Sequence, residues 1–238
     1  MTSQDGSAEP QQEYRQRRFQ PPPGATELLL VRHGESQPAR PDQPFPLVGG
    51  HGDPGLAPDG QVQAQRVADR LKGEHIDAIY VTTLRRTAQT AAPLAEALGL
   101  TPQVEADLRE VYLGEWEGGL FRRMVAEGGP VARRMFEEER WDVIPGAEPS
   151  EQLAARVRAA IGRLAAAHPG QRVVAFTHGG VIAQALALAG RSRPFAFMGA
   201  DNGSISHLVI DGSRWVLRRF NDTAHLDGAF TASSEPPT

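Results

Sequence analysis

The chain has no cysteine in 238 residues. That excludes a disulfide framework, a thiolate zinc site and a cysteine nucleophile, and it suits a reducing cytosol. No apolar run reaches the roughly 18 residues that a membrane span needs, and the opening MTSQDGSAEPQQEYRQRRFQPPPG lacks the apolar stretch of a signal peptide. The expectation is a soluble, cytoplasmic protein. Basic residues (25) do not outnumber acidic ones (29), giving a formal net charge of -4, so no global field gathers nucleic acid or a membrane surface. An anion must be held by a local cluster. There is no HExxH, EF-hand loop or Asp-rich cluster to hold a metal, and no GxxxxGK[ST] to hold a nucleotide. No repeat of period 20 to 50 is visible, against a solenoid or propeller.

What is present is an ordinary globular composition, 40% hydrophobic and 23% charged. Residues 1–24 and 228–238 are polar and Pro-, Glu- and Ser-rich and read as disordered arms around one domain at 25–227. Within it, short apolar runs alternate with segments of helical period, the mark of an α/β fold on a largely parallel sheet. Glu27 to Val31, Ile76 to Val81 and Arg172 to Thr177 read as strands. Ala64, Val67, Ala68 and Leu71 stripe a helix stopped by Gly73; Leu84 to Leu98 form a second, ending at Gly99. Leu153, Val157, Ile161 and Leu164 stripe a third, and Val181 to Ala189, with its stop at Gly190, a fourth. Ser204–Ile210 and Trp215–Phe220 read as a hairpin turning at Asp211-Gly212.

Three strands run straight into polar residues: Arg32-His33-Gly34-Glu35-Ser36, Thr82-Thr83-Leu84-Arg85-Arg86 and His178-Gly179-Gly180. Parallel strands share one carboxyl edge, where ligands bind, so these segments are expected to converge. Arg32 beside His33 disfavours the imidazolium and keeps a nucleophilic neutral ring, while its guanidinium offers a planar fork to phosphate oxygens. Gly34 is expected to let the backbone approach a bulky ligand. One of Arg85 and Arg86 should reach the site and the other the surface, because adjacent residues point about 100° apart on a helix. Gly179 opens a helix whose backbone N–H groups suit an anion. Two histidines, two arginines and an anion-receptive helix end suit a transferring phosphoryl group. An alkoxide leaving group also needs a proton. Glu110, among apolar residues in DLREVYLGEWEG, is the best candidate acid, with Glu35, Asp53, Glu115 and Glu117 as competitors.

The ordered set LLLVRHGES, DPGLAPDGQVQA, TTLRRTAQTA, LREVYLGEWEG and FTHGGV, spread over residues 26–220, resembles the histidine phosphatase superfamily, which includes the cofactor-dependent phosphoglycerate mutases. The resemblance implies a three-layer phosphoglycerate mutase-like sandwich, a mostly parallel sheet flanked by helices. It also implies a phosphohistidine on His33, phosphate clamps at Arg32 and Arg86, proton donation by Glu110 and phosphate binding by His178, without metal or cofactor. Gly34, Ser36, Gln37, Gly179 and Asn202 are expected to border the substrate. An Asn that many members carry about six residues after the nucleophile is Ala39 here, leaving Gln37, Arg40 or His51 to supply its contact.

The mutases of the family resemble one another in a WN pair after RHGES and an ERHYG at the acid, both absent here, which favours phosphatase action on a small phosphomonoester over a mutase. A catalytically dead binding module would lack a nucleophile or clamp, and neither is missing. The variable cap, about residues 119–149, carries Arg122, Arg123, Arg133, Arg134 and Arg140; a substrate tail or solvated helix faces would each explain them, with solvated faces expected for most. A monomer or homodimer is expected, with no nucleic-acid or membrane partner.

Overall fold

The structure is a computed structural model that describes residues 13–226. The expected arms beyond those bounds lie outside the described residues. Residues 13–20 carry no regular structure and are exposed.

Six strands form one sheet in the order β5-β4-β6-β1-β7-β8. They are β1 Thr26–Arg32, β4 Ala78–Val81, β5 Gln103–Val104, β6 Arg172–Thr177, β7 Ile205–Asp211 and β8 Arg214–Asp222. β1, β4, β5 and β6 are parallel, and β7 and β8 close the sheet antiparallel. The remaining pair, β2 Leu47–Val48 and β3 His51–Gly52, forms a separate small hairpin.

The central strands read as unbroken apolar runs because both faces are covered. Leu28, Leu30, Val173 and Ala175 point into one core. Leu29, Val31, Val174 and Phe176 point into the other. Helices α1 (Pro58–Leu71) and α2 (Arg85–Leu98) cover the second face, and α5 (Ser150–Ala167) and α6 (Gly179–Gly190) the first. The three-layer α/β sandwich expected from the sequence is the fold observed. Helix α1 starts with Pro58 at its first turn and ends at Leu71, capped by Lys72 one residue before the expected stop, Gly73. Helix α2 ends as expected on Gly99, left-handed at φ 65°. Gly190 is still helical, and the left-handed cap falls on Arg191 at φ 49°.

The cap folds as α3 (Leu120–Glu127), α4 (Pro130–Glu138) and a short 3₁₀ turn at Trp141–Val143. Met135, Trp141, Val143 and Ile144 sink into the α5/α6 core, so the cap is anchored to the domain rather than draped over it. No helix among the described residues is long and apolar enough to cross a membrane.

Candidate active site

The carboxyl ends of β1, β4 and β6 deliver their polar residues to one cavity, lined by Arg32, His33, Arg86, Glu110 and Gly179 together with cap residues. His178, fully buried at the N-terminus of α6, stands with its ring edge toward His33, centroids 5.1 Å apart.

His33 is 5% exposed and held from several sides. Its backbone N–H donates to Thr177 O at 3.0 Å, and its carbonyl accepts from Asn202 Nδ2 at 2.9 Å. Nδ1 lies 2.8 Å from Gly34 O, a contact that requires the proton on Nδ1 and so leaves the lone pair on Nε2. Nε2 accepts from Arg86 Nε at 3.1 Å. Burial, then Arg86 and Arg32, push the imidazole pKa well below 6.5. The result is a neutral ring with its nucleophilic nitrogen facing the Arg86 guanidinium.

The two adjacent arginines separate as helix geometry demands. Arg86 is buried, reaches His33 and donates from Nη1 to Gly52 O at 2.9 Å; burial lowers its pKa to about 10. Arg85 turns outward, where Asp53 accepts from both its backbone N–H and its Nε at 2.8 Å. Arg32 donates to Ala200 O at 2.5 Å, and burial lowers its pKa too.

His178 sits at the end of a hydroxyl chain. Thr87 Oγ1 donates to Leu84 O at 2.8 Å and accepts from Thr82 N at 3.0 Å. Thr82 Oγ1 lies 3.0 Å from His178 Nε2. A Thr82 hydroxyl that donates there keeps the imidazole proton on Nδ1, which is buried and has no partner among the described residues. That nitrogen is then a donor reserved for a ligand oxygen. Burial first, then Arg86, holds His178 well below the ordinary imidazole range.

Glu110 lines the cavity, and its carboxylate accepts from Val111 N at 3.0 Å and Gly180 N at 3.3 Å. A Cβ at position 180 would lie 2.7 Å from the carboxylate, so glycine there is what admits Glu110. The backbone bearing Glu110 is held by Arg156, which donates to the carbonyls of Asp107 and Arg109 at 2.7 Å and of Glu110 at 3.0 Å. Arg156 is itself forked on Glu148, at 2.7 and 2.9 Å. No sequence motif pointed to this clamp, whose Arg156 is at least 46 residues from the carbonyls it holds.

The competing carboxylates are otherwise engaged. Asp53 caps Arg85, and Glu117 accepts from Gly52 N at 2.7 Å and Leu113 N at 2.9 Å. Glu115 and Glu35 are exposed, Glu35 on an outer groove.

The structure places the residues expected to border the substrate as follows. Gly34 does not line the cavity: its missing Cβ is needed because the backbone carbonyl of Gly60 in α1 occupies that space, and its N–H goes to Thr90 Oγ1 at 3.0 Å. Gln37 is exposed and lines neither the cavity nor the groove, because its backbone is tied to Gly55 and its side chain turns to solvent. Ser36 and Asn202 line the outer groove rather than the cavity: Ser36 Oγ accepts from Arg122 Nη2 at 2.6 Å, and Asn202 supports the carbonyl of His33. Of the three candidates for the missing Asn contact, His51 lines the cavity and Arg40 the groove. Trp141, Phe45 and Met198 also line the cavity, and nothing in their local sequence singled them out.

Comparison with known proteins places the chain in a family. Residues 28–223 match the family model of the histidine phosphatase superfamily (branch 1). The chain is 35% identical over 208 residues to phosphoglycerate mutase-like protein 4 of Arabidopsis thaliana, covering 84% of this chain and 87% of that one. It is 33% identical over 201 residues to phosphoserine phosphatase 1 of Hydrogenobacter thermophilus, covering 84% and 93%. The solved structure of mycobacterial glucosyl-3-phosphoglycerate phosphatase superposes with a TM-score of 0.70 at 30% identity, covering 84% of this chain and all of that one (100%). The chain belongs to the histidine phosphatase superfamily, branch 1.

Proposed function

We propose that the protein is a phosphomonoesterase acting on a small phosphorylated metabolite through a phosphohistidine on His33. The observation that carries this reading is the neutral, buried His33, whose Nε2 lone pair faces Arg86. Nε2 attacks phosphorus in line as the ester P–O bond breaks, and Arg32, Arg86 and His178 Nδ1–H take the charge on the phosphoryl oxygens. Glu110, protonated for this step, gives its proton to the departing alkoxide. Water, deprotonated by Glu110, then attacks the phosphohistidine, releasing inorganic phosphate and restoring the neutral ring.

The reading is of a metal-independent enzyme: among the described residues no group of three or more His, Cys, Asp or Glu side chains comes together to hold a metal ion, and the neighbouring guanidinium groups oppose a cation. A cytoplasmic location fits the absence of cysteine. Relatives named as phosphoserine and glucosyl-3-phosphoglycerate phosphatases support hydrolysis of a small phosphomonoester.

The test is release of inorganic phosphate from an aryl phosphate in EDTA, run beside a phosphoglycerate mutase assay with and without bisphosphorylated primer. Phosphate release without interconversion is expected. Primer-dependent interconversion, or activity abolished by EDTA and restored by a divalent ion, overturns the reading.

A further inference from the structure

The five cap arginines have different surroundings. Arg123, Arg134 and Arg140 pair with Glu127, Glu138 and Asp142 at 3.4, 2.7 and 3.0 Å, and Arg133 donates to Gly128 O. All four are solvated enough for water to stabilise any remaining charge. Arg122 points inward instead, lining both the catalytic cavity and the outer groove.

Its guanidinium touches neutral groups: Gln37 O at 2.9 Å, Ser36 Oγ at 2.6 Å and the face of Phe45, 5.5 Å from the ring centroid. No carboxylate among the described residues is ion-paired with it; Glu35, on the same outer groove, acts on its charge only through space. Two of its five N–H donors are used, the side chain is half-buried, and the remaining donors are open to an anion. The phosphoryl group already has Arg32 and Arg86 beside His33. The cavity that holds both ends is lined by the apolar Val111, Trp116, Phe121, Trp141 and Met198 as well as by His51 and Glu117.

We propose that Arg122 is the specificity-determining residue of this site, and that it selects phosphomonoesters whose leaving group carries a carboxylate. The phosphoryl group lies on His33, the carbon body against the Trp141 and Phe121 wall, and the carboxylate on the free edge of the Arg122 fork. This rests on the phosphatase reading above, and the test separates the two.

Two substrate pairs differ only by the carboxylate: phosphoglycolate against ethyl phosphate, and O-phosphoserine against O-phosphoethanolamine. For the full chain, kcat/KM should favour the carboxylated member of at least one pair by about tenfold or more, the size of one charge-assisted hydrogen bond. In Arg122→Gln that ratio should fall to near one; in Arg122→Lys, which keeps the charge and loses the fork, it should fall part of the way. Equal activity of the native chain on both members of both pairs overturns the proposal. So does an Arg122→Gln loss that is the same for both members, which would make Arg122 part of the phosphoryl clamp. The same ratios measured as dissociation constants in a His33→Ala background need no turnover. If the native chain releases no phosphate from any substrate, the phosphatase reading fails, and the Arg122-dependent binding preference still decides this proposal.

Discussion

The two ends of the central strands carry opposite kinds of charge cluster. At the amino ends, Arg172 at the start of β6 donates to Glu27 at 2.8 Å and Glu74 at 3.0 Å, and its backbone N–H goes to Asp77. His207 in β7 lies 3.1 Å from the same Glu27. Arg172 there has two acidic partners, and burial holds the neighbouring His207 below the ordinary imidazole range. At the carboxyl ends of the same strands, Arg32, Arg86 and two neutral histidines gather, and of the cavity carboxylates Glu117 is tied to backbone N–H groups while Glu110 faces the site. Balanced clusters hold strands together. A cationic excess in a buried place is held by the fold around it and becomes useful when an anion binds.

Substitutions should separate the two ends. The largest effect is expected from Glu110→Gln, which should lower turnover of an alkyl phosphate by about 10²–10⁴-fold. Turnover of p-nitrophenyl phosphate should fall far less, since nitrophenolate leaves without a proton. Equal losses on both would remove Glu110 from the role of proton donor. At the opposite end, Arg172→Met should cost about 1–3 kcal/mol of stability by stranding Glu27 and Glu74, read by denaturant unfolding, with kcat unchanged. A drop in kcat at full folding would contradict the division between the ends.

The smallest effect is a matter of pH. His33 and His178 both have folded pKa values below the ordinary 6.5. As pH falls below about 6.5 the unfolded chain binds protons that the folded chain refuses, so stability rises with pH across that window and is lost on the acid side. Thermal melts between about pH 5 and pH 7 should show an acid loss that is smaller in a His33→Asn/His178→Asn double variant. Identical slopes would show that these rings do not titrate as described.

The same contrast explains what the sequence made legible. Strand ends were readable because hydrophobic runs stop abruptly at RHG, TTLRR and THGG, and parallel topology then forces those stops to one edge. The choice between Arg85 and Arg86 followed from resemblance, and the structure gives its reason in the Asp53 pair that draws Arg85 away. A glycine beside a nucleophile signals close approach without saying to what; at Gly34 the structure shows a close approach to Gly60. The cap was opaque. Arg122 and Arg123 stand side by side on α3, and the packing of Phe121 and Met124 of that helix against the core turns Arg122, not Arg123, to the cavity. The Arg156–Glu148 clamp was invisible for a similar reason, since its partners are backbone carbonyls that leave no mark on residue type.

The most direct test of the central claim is to trap the intermediate. The chain is mixed with a fast aryl phosphate, quenched within a turnover in alkali, where phosphohistidine survives, and mapped by peptide mass spectrometry. The account predicts one added phosphoryl group on the peptide bearing His33, absent from His33→Ala. A phosphoryl group on another residue, or normal turnover by His33→Ala, would contradict it.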